Sequence, residues 1–183
     1  QVEQYAVLLG ALHGTEFQAE VAARLHSVTL GLQVVPPYPQ GDGGVDALSH
    51  NGSRGYCCYG LEPDPARTAR AKATAIVKKF TQDLYRVFEL KPMGGKLVHS
   101  PNSQLAGILG AGVKLQHIDL ISNWFKSHDI IGRLKTAFAA CKSASQCNLV
   151  DVTATMVIKG PSELANEHAV DEITITRINQ RAF

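Results

Sequence analysis

Asp42-Gly43-Gly44-Val45-Asp46-Ala47-Leu48-Ser49-His50-Asn51-Gly52-Ser53-Arg54-Gly55-Tyr56-Cys57-Cys58-Tyr59-Gly60-Leu61 is the stretch that decides the fold reading. It begins on turn formers, Gln40 to Gly44, whose glycines tolerate positive φ. Val45 to Leu48 then reads as a short strand. His50-Asn51-Gly52-Ser53 has Asn-Gly at its centre, a tight hairpin turn signal. Gly55 to Leu61, rich in aromatic and sulfur side chains, is the returning strand. The segment is expected to be a β-hairpin with polar groups at one end.

Helical periodicity flanks this hairpin on both sides. Val7, Leu8, Ala11 and Leu12, then Phe17, Val21, Leu25 and Val28, recur at helical spacing from Val2 to Leu30. Gly14-Thr15 breaks that run, with Thr15 as the expected cap of a helix reaching about His26. Gln33 to Pro36 reads as extended chain. Beyond the hairpin, Pro65 and an Asp64 cap predict a long helix from about Ala66 to Glu89, with Ala73, Ile76, Val77, Phe80, Leu84 and Val87 on its apolar stripe. Pro92 and Gly94-Gly95 read as a break. Lys96 to His99 is a short strand, and Gln104 to Val113 is ambiguous. Leu115 to Phe125 mixes a strand-like start with a helical finish. Ile130 to Lys142 is an amphipathic helix, Leu149 to Ile158 a strand, Pro161 to Glu167 a short helix and Ile173 to Ile178 a last strand. The fold class is therefore α/β, a central mixed sheet flanked by helices. One domain is expected over residues 1–183, its core at about 1–128 and a helix-strand extension over 129–183.

The chain has 183 residues, 45% hydrophobic and 19% charged, an ordinary globular balance. No apolar run is long enough to span a bilayer, because Asp119, Asn123, Lys126 and Asp129 interrupt the longest candidate. No membrane partner is expected, and a cytoplasmic location is the default. A net charge of +2 does not by itself imply nucleic acid. Arg67, Arg70, Lys78 and Lys79 are nevertheless clustered in one segment, either as a solvated helix face or as a set of phosphate contacts. The four cysteines, Cys57, Cys58, Cys141 and Cys147, lack zinc-site spacing and read as reduced thiols. No phosphate-cradling glycine loop followed by Lys-Ser or Lys-Thr occurs, so nucleotide hydrolysis is not expected.

Three segments carry a resemblance. Gly14-Thr15-Glu16-Phe17-Gln18, Gly41-Asp42-Gly43-Gly44-Val45-Asp46 and Tyr56-Cys57-Cys58-Tyr59-Gly60 resemble the opening motifs of PD-(D/E)XK, or restriction-endonuclease-like, domains. They are most similar to the branch found in bacterial anti-phage and ABC-three-component defence systems. The resemblance covers roughly the first hundred residues. It implies a nuclease fold with Asp46 as the ligand of a Mg²⁺ ion, and Tyr59 and Gln18 beside it in the catalytic corner. It also implies DNA as partner, alongside other defence-system subunits. The chain departs from the pattern where the chemistry lies. Cys57 takes the Glu or Gln position, and a thiol is a soft partner for a hard ion. Tyr59 takes the lysine position and brings no positive charge near neutral pH. Gln18 takes the place of the helix glutamate. The implied function is thus either metal-dependent DNA cleavage or a degenerate pseudo-nuclease that binds nucleic acid or docks a partner. Self-association through unpaired strand edges is a third reading. Asp42, Glu62, Glu16, His50 and His99 are secondary candidates, each with an ordinary turn or surface role as the alternative.

Overall fold

The computed structural model describes residues 1–28, 31–35, 43–125 and 128–167. Helices α1 (Val2–Ala11) and α2 (Gly14–Val28) come first, followed by strands β1 (Gln33–Val34), β2 (Ala47–Leu48) and β3 (Arg54–Tyr59). The long helix α3 (Ala69–Val87) leads into a hairpin of β4 (Leu90–Met93) and β5 (Lys96–His99) and the short helix α4 (Ser103–Leu109). Then come β6 (Leu115–Ser122), α5 (His128–Ala144), β7 (Val150–Lys159) and α6 (Pro161–Glu167). Five strands form one sheet in the order β1-β2-β3-β6-β7. The first three pair antiparallel, and β3, β6 and β7 run parallel. The expected α/β class with a mixed central sheet is what the chain forms. No helix among the described residues is long and apolar enough to cross a membrane.

The sheet separates two cores. Cys57, Ile118 and Leu120 pack with Ile76, Phe80 and Leu84 of α3 and Leu134 of α5. Ala47, Tyr56, Cys58 and Ile121 pack with Tyr5 and Leu9 of α1, Phe17 and Val21 of α2 and Leu164 of α6. Strand β3 lies between β2 and β6 with helices over both faces. Gly55, Tyr56, Cys57 and Cys58 are consequently all buried, the unbroken pattern of a strand covered on both sides. Each fully buried large side chain, such as Phe80 or Phe17, contributes about 1.5–3 kcal/mol of transfer free energy. Helix α5 and strand β7, which follow residue 128, join this same sheet and core, with β7 hydrogen-bonded along β6.

Several boundaries differ from the sequence reading. Helix α3 begins at Ala69, capped by Thr68, whose hydroxyl accepts the Ala71 N–H at 3.2 Å. Asp64 instead accepts the Ala66 N–H at 3.0 Å and closes a turn ahead of the helix. Strand β6 stays extended to Ser122, because parallel neighbours on both sides outweigh the local helical tendency. Gly94-Gly95 is a hairpin turn, with φ of +57° and +77°, and not a simple break. Pro92 is accommodated because this hairpin has only two strands. The ambiguous stretch from Gln104 opens inside helix α4, which Asn102 caps by accepting the Leu105 N–H at 3.1 Å. Gly41, Asp42 and the predicted strand Ile173 to Ile178 lie outside the described residues.

Candidate functional site

Asp46 stands at the entry to β2. Its N–H donates to the Tyr56 carbonyl at 2.7 Å, and its own carbonyl accepts the Val35 N–H at 2.9 Å. These bonds fix its backbone between β1 and β3. Its side chain is turned towards α2. Oδ2 accepts the Cys58 N–H at 2.6 Å, and Oδ1 accepts a long bond from Gln18 Nε2 at 3.4 Å. Gln18 Nε2 also donates to the Cys58 carbonyl at 3.2 Å. Asp46, Gln18 and Thr15 line a cavity of about 310 Å³ whose walls are mostly aliphatic: Ala22 and Leu25 of α2, Val35, and Ala47. The structure therefore brings Gln18 and Asp46 together.

Tyr59 is placed elsewhere. Its ring packs edge-on against Phe80 of α3 at 6.3 Å between centroids, on the sheet face opposite α2. Cys57 shares that face, its thiol donating to the Gly44 carbonyl at 3.1 Å. Successive strand residues alternate faces, so the β3 positions on the Asp46 side are Tyr56 and Cys58. The expectation that Tyr59 joins Asp46 in one corner is corrected by this one-residue phase. Burial, followed by the charges of Asp83 and Asp46, holds the Cys57 thiol well above its ordinary pKa. Cys58 is raised in the same way, by burial and then by Asp46 and Asp83. Neither is a ready thiolate.

The basic cluster divides. Lys79 lies 2.6 Å from both carboxylate oxygens of the buried Asp83 and is turned inward. Arg67 faces Asp64 at 3.5 Å. Arg70 and Lys78 are exposed on α3. Among the secondary candidates, Glu62 pairs with His13 at 3.0 Å, while Glu16, His50 and His99 are on the surface.

Sequence reasoning missed two polar centres. Asp119, fully buried in mid-β6, receives Arg54 Nη1 at 2.9 and 3.1 Å and Lys159 Nζ at 2.9 Å. Lys159 also reaches Glu167 of α6 at 3.0 Å. Burial pulls the Lys159 pKa down, but the hydrogen bond and charge of Asp119, and then those of Glu167, outweigh it and raise the ammonium above its ordinary value. Asn123 is the second centre. Its Nδ2 donates to the Leu12 carbonyl at 2.7 Å and to the Leu61 carbonyl at 3.0 Å, and its Oδ1 accepts the Leu61 N–H at 2.8 Å. It ties the ends of α1, β3 and β6 together. The available signal was an acid and an amide inside an otherwise apolar run, since buried polar groups need partners.

Mg²⁺ takes near-octahedral hard oxygen ligands. Among the described residues, no three His, Cys, Asp or Glu side chains gather as a metal cage. At the corner itself, Asp46 offers a carboxylate and Gln18 an amide, and Cys58, which also lines the cavity, meets them through its backbone N–H and carbonyl. This donor set alone does not fit the ion, and no step is derived through it. In comparisons with known proteins, the chain matches no family model, no curated protein and no solved structure.

Proposed function

We propose that this chain is a restriction-endonuclease-like domain that binds instead of cutting, a degenerate member of a bacterial defence assembly with DNA as its partner. The observation that carries this reading is the separation of Asp46 and Tyr59 onto opposite faces of the sheet. Hydrolysis of a phosphodiester needs a metal or general base next to a cation at one point in space. Here the carboxylate is engaged by an amide and a backbone N–H, and the residue in the lysine position packs on Phe80. Binding to DNA rests on the exposed Arg70 and Lys78, whose contacts would be with phosphates and so independent of base sequence.

Two assays on the purified chain test this. Incubation with plasmid and Mg²⁺ or Mn²⁺ should give no cleavage, and cleavage abolished by Asp46→Ala would establish the enzyme reading instead. Duplex binding should weaken with salt, and Arg70→Ala with Lys78→Ala should lower the log-log salt slope by about 2. Salt-independent binding, or none, would remove DNA from the proposal.

A further inference from the structure

We infer that the β4–β5 hairpin is the arm through which the chain grips duplex DNA, with Lys91 and Lys96 on phosphates and Met93 in the groove between them. The inference rests on the DNA-binding reading and names the element that carries it.

From Leu90 to Ile118 the chain holds Lys91, Lys96 and Lys114 and no aspartate or glutamate. Gly94-Gly95, both at positive φ, fold Leu90 to His99 into the hairpin. Pairing puts Leu90, Pro92, Leu97 and His99 on one face and Lys91, Met93, Lys96 and Val98 on the other. Leu90 and Leu97 of the first face pack on the core that α3 and α5 share. The second face therefore looks outward, and it sets two ammonium groups beside one thioether. Lys91, Met93 and Lys96 are all exposed, Met93 at 61%. Neither lysine pairs with a carboxylate among the described residues.

The base of the hairpin is fixed and its tip is open. Glu89 accepts the Ser100 N–H on its carbonyl at 2.7 Å and the Asn102 N–H on Oε1 at 3.1 Å, which ties both ends of the ribbon to the end of α3. Glu89 does so at φ +55°, a left-handed conformation that persists where the surroundings impose it and that gathers at binding elements. A Cβ added to Gly94 or Gly95 would meet no atom within 4 Å. An arm with a preset base loses little freedom on binding. A two-stranded ribbon is what a major groove about 12 Å wide admits. Strands of four residues reach about 13 Å, enough for a groove about 8.5 Å deep. Single strands are gripped chiefly by aromatic stacking platforms, and the outward face carries no aromatic ring. An anionic membrane would also attract two lysines. One thioether and Val98 fall far short of the broad apolar face that holds an interfacial element in lipid.

The intact chain is titrated against a short labelled duplex over a range of salt, with anisotropy as the readout. Lys91→Ala combined with Lys96→Ala should weaken binding at least about tenfold at about 0.1 M salt and lower the log-log salt slope by about 2. Met93→Ala should weaken binding and leave the slope unchanged, because a thioether displaces no counterion. Thermal melts of both variants should match the parent, since all three side chains are exposed, and this separates lost binding from lost fold. In the saturated complex, Lys91 and Lys96 should be shielded from acetylation, read by mass spectrometry. The inference is overturned by an unchanged slope in the double variant, by unchanged affinity in Met93→Ala, or by lysines that stay reactive in the complex. Binding to phosphatidylserine vesicles without binding to duplex overturns it in favour of a membrane. A slope lowered by Arg70→Ala with Lys78→Ala but not by the hairpin variants rejects the arm and keeps DNA as partner. Absence of any duplex binding removes both readings.

Discussion

Replacing Asn123 by alanine should cost the fold about 2–4 kcal/mol, a large share of the 5–15 kcal/mol that holds a typical domain. The magnitude follows from what the side chain satisfies. Its bonds at 2.7, 2.8 and 3.0 Å pair two carbonyls and one N–H of Leu12 and Leu61, both of which are buried. Each orphaned group would cost about 1–3 kcal/mol if sealed. The grooves on either side, of about 470 and 200 Å³, also border Asn123 and let water repay part of that sum. Urea unfolding at neutral pH reads the loss, followed by circular dichroism and by the emission of Trp124, the single tryptophan and the next residue in the chain. A drop in melting temperature of roughly 5–15 °C should accompany it. Asn123→Asp keeps the acceptor for Leu61 N–H but turns an oxygen towards the two carbonyls, so it should be no less damaging. A loss below about 1 kcal/mol for the alanine variant, with an unchanged m-value, would refute the view that this amide clamps three elements together.

Further outcomes follow from other parts of the molecule. Gly44 has φ +89°, and a Cβ there would sit 2.7 Å from the Asp83 carbonyl, so Gly44→Ala should lose at least about 1–2 kcal/mol in a thermal melt. Asp119→Ala leaves Arg54 without its carboxylate and Lys159 with Glu167 alone, around a buried hole, and should cost about 3–5 kcal/mol, whereas Arg67→Ala at its half-buried surface pair should change urea stability by less than about 0.5 kcal/mol. Alkali should destabilise the fold. Cys57, Cys58 and Cys141 have raised folded pKa values, Cys141 about 12, so unfolded thiolates gain over the native state above the ordinary value of 9.0. Lys159, also raised, adds to the loss above 10.5. Unfolding free energy should therefore hold up to about pH 9 and fall beyond it, and a flat profile to pH 11 would contradict these environments. At pH 8, thiol reagents should label the native chain slowly and the denatured chain at all four cysteines.

Much of the architecture was readable because its signals are local. The Asn51-Gly52 turn closes as expected, with Gly52 at φ +68° and its N–H bonded to the Ser49 carbonyl at 2.8 Å. The apolar stripe of α3 is the one that faces the sheet. The phase of β3 was not readable, because a strand buried on both sides has no polar alternation to mark which residues share a face. That is why Cys57 and Tyr59 were expected beside Asp46, where Tyr56 and Cys58 lie. Gln18 and Asp46 meet at 3.4 Å, because one helix position and one strand entry suffice to place them. Lys79 was expected among phosphate contacts. Its partner four residues on, Asp83, was visible in the sequence, but the burial that turns the pair inward depends on packing against β3. Asp119 and Asn123 were read as interruptions of an apolar run, because their partners lie far away in sequence, at Arg54 and Lys159 for one and at Leu12 and Leu61 for the other.

The parallel pairing of β3 with β6 sets Arg54 opposite His117. During synthesis the hairpin of β2 and β3 therefore leaves the ribosome well before its neighbour exists. At about 5–20 residues per second, the intervening stretch of roughly sixty residues takes several seconds to emerge. Through that interval the apolar run of β3 has one unsatisfied edge, which makes the nascent chain a natural client for holdase chaperones and a hazard for co-translational aggregation.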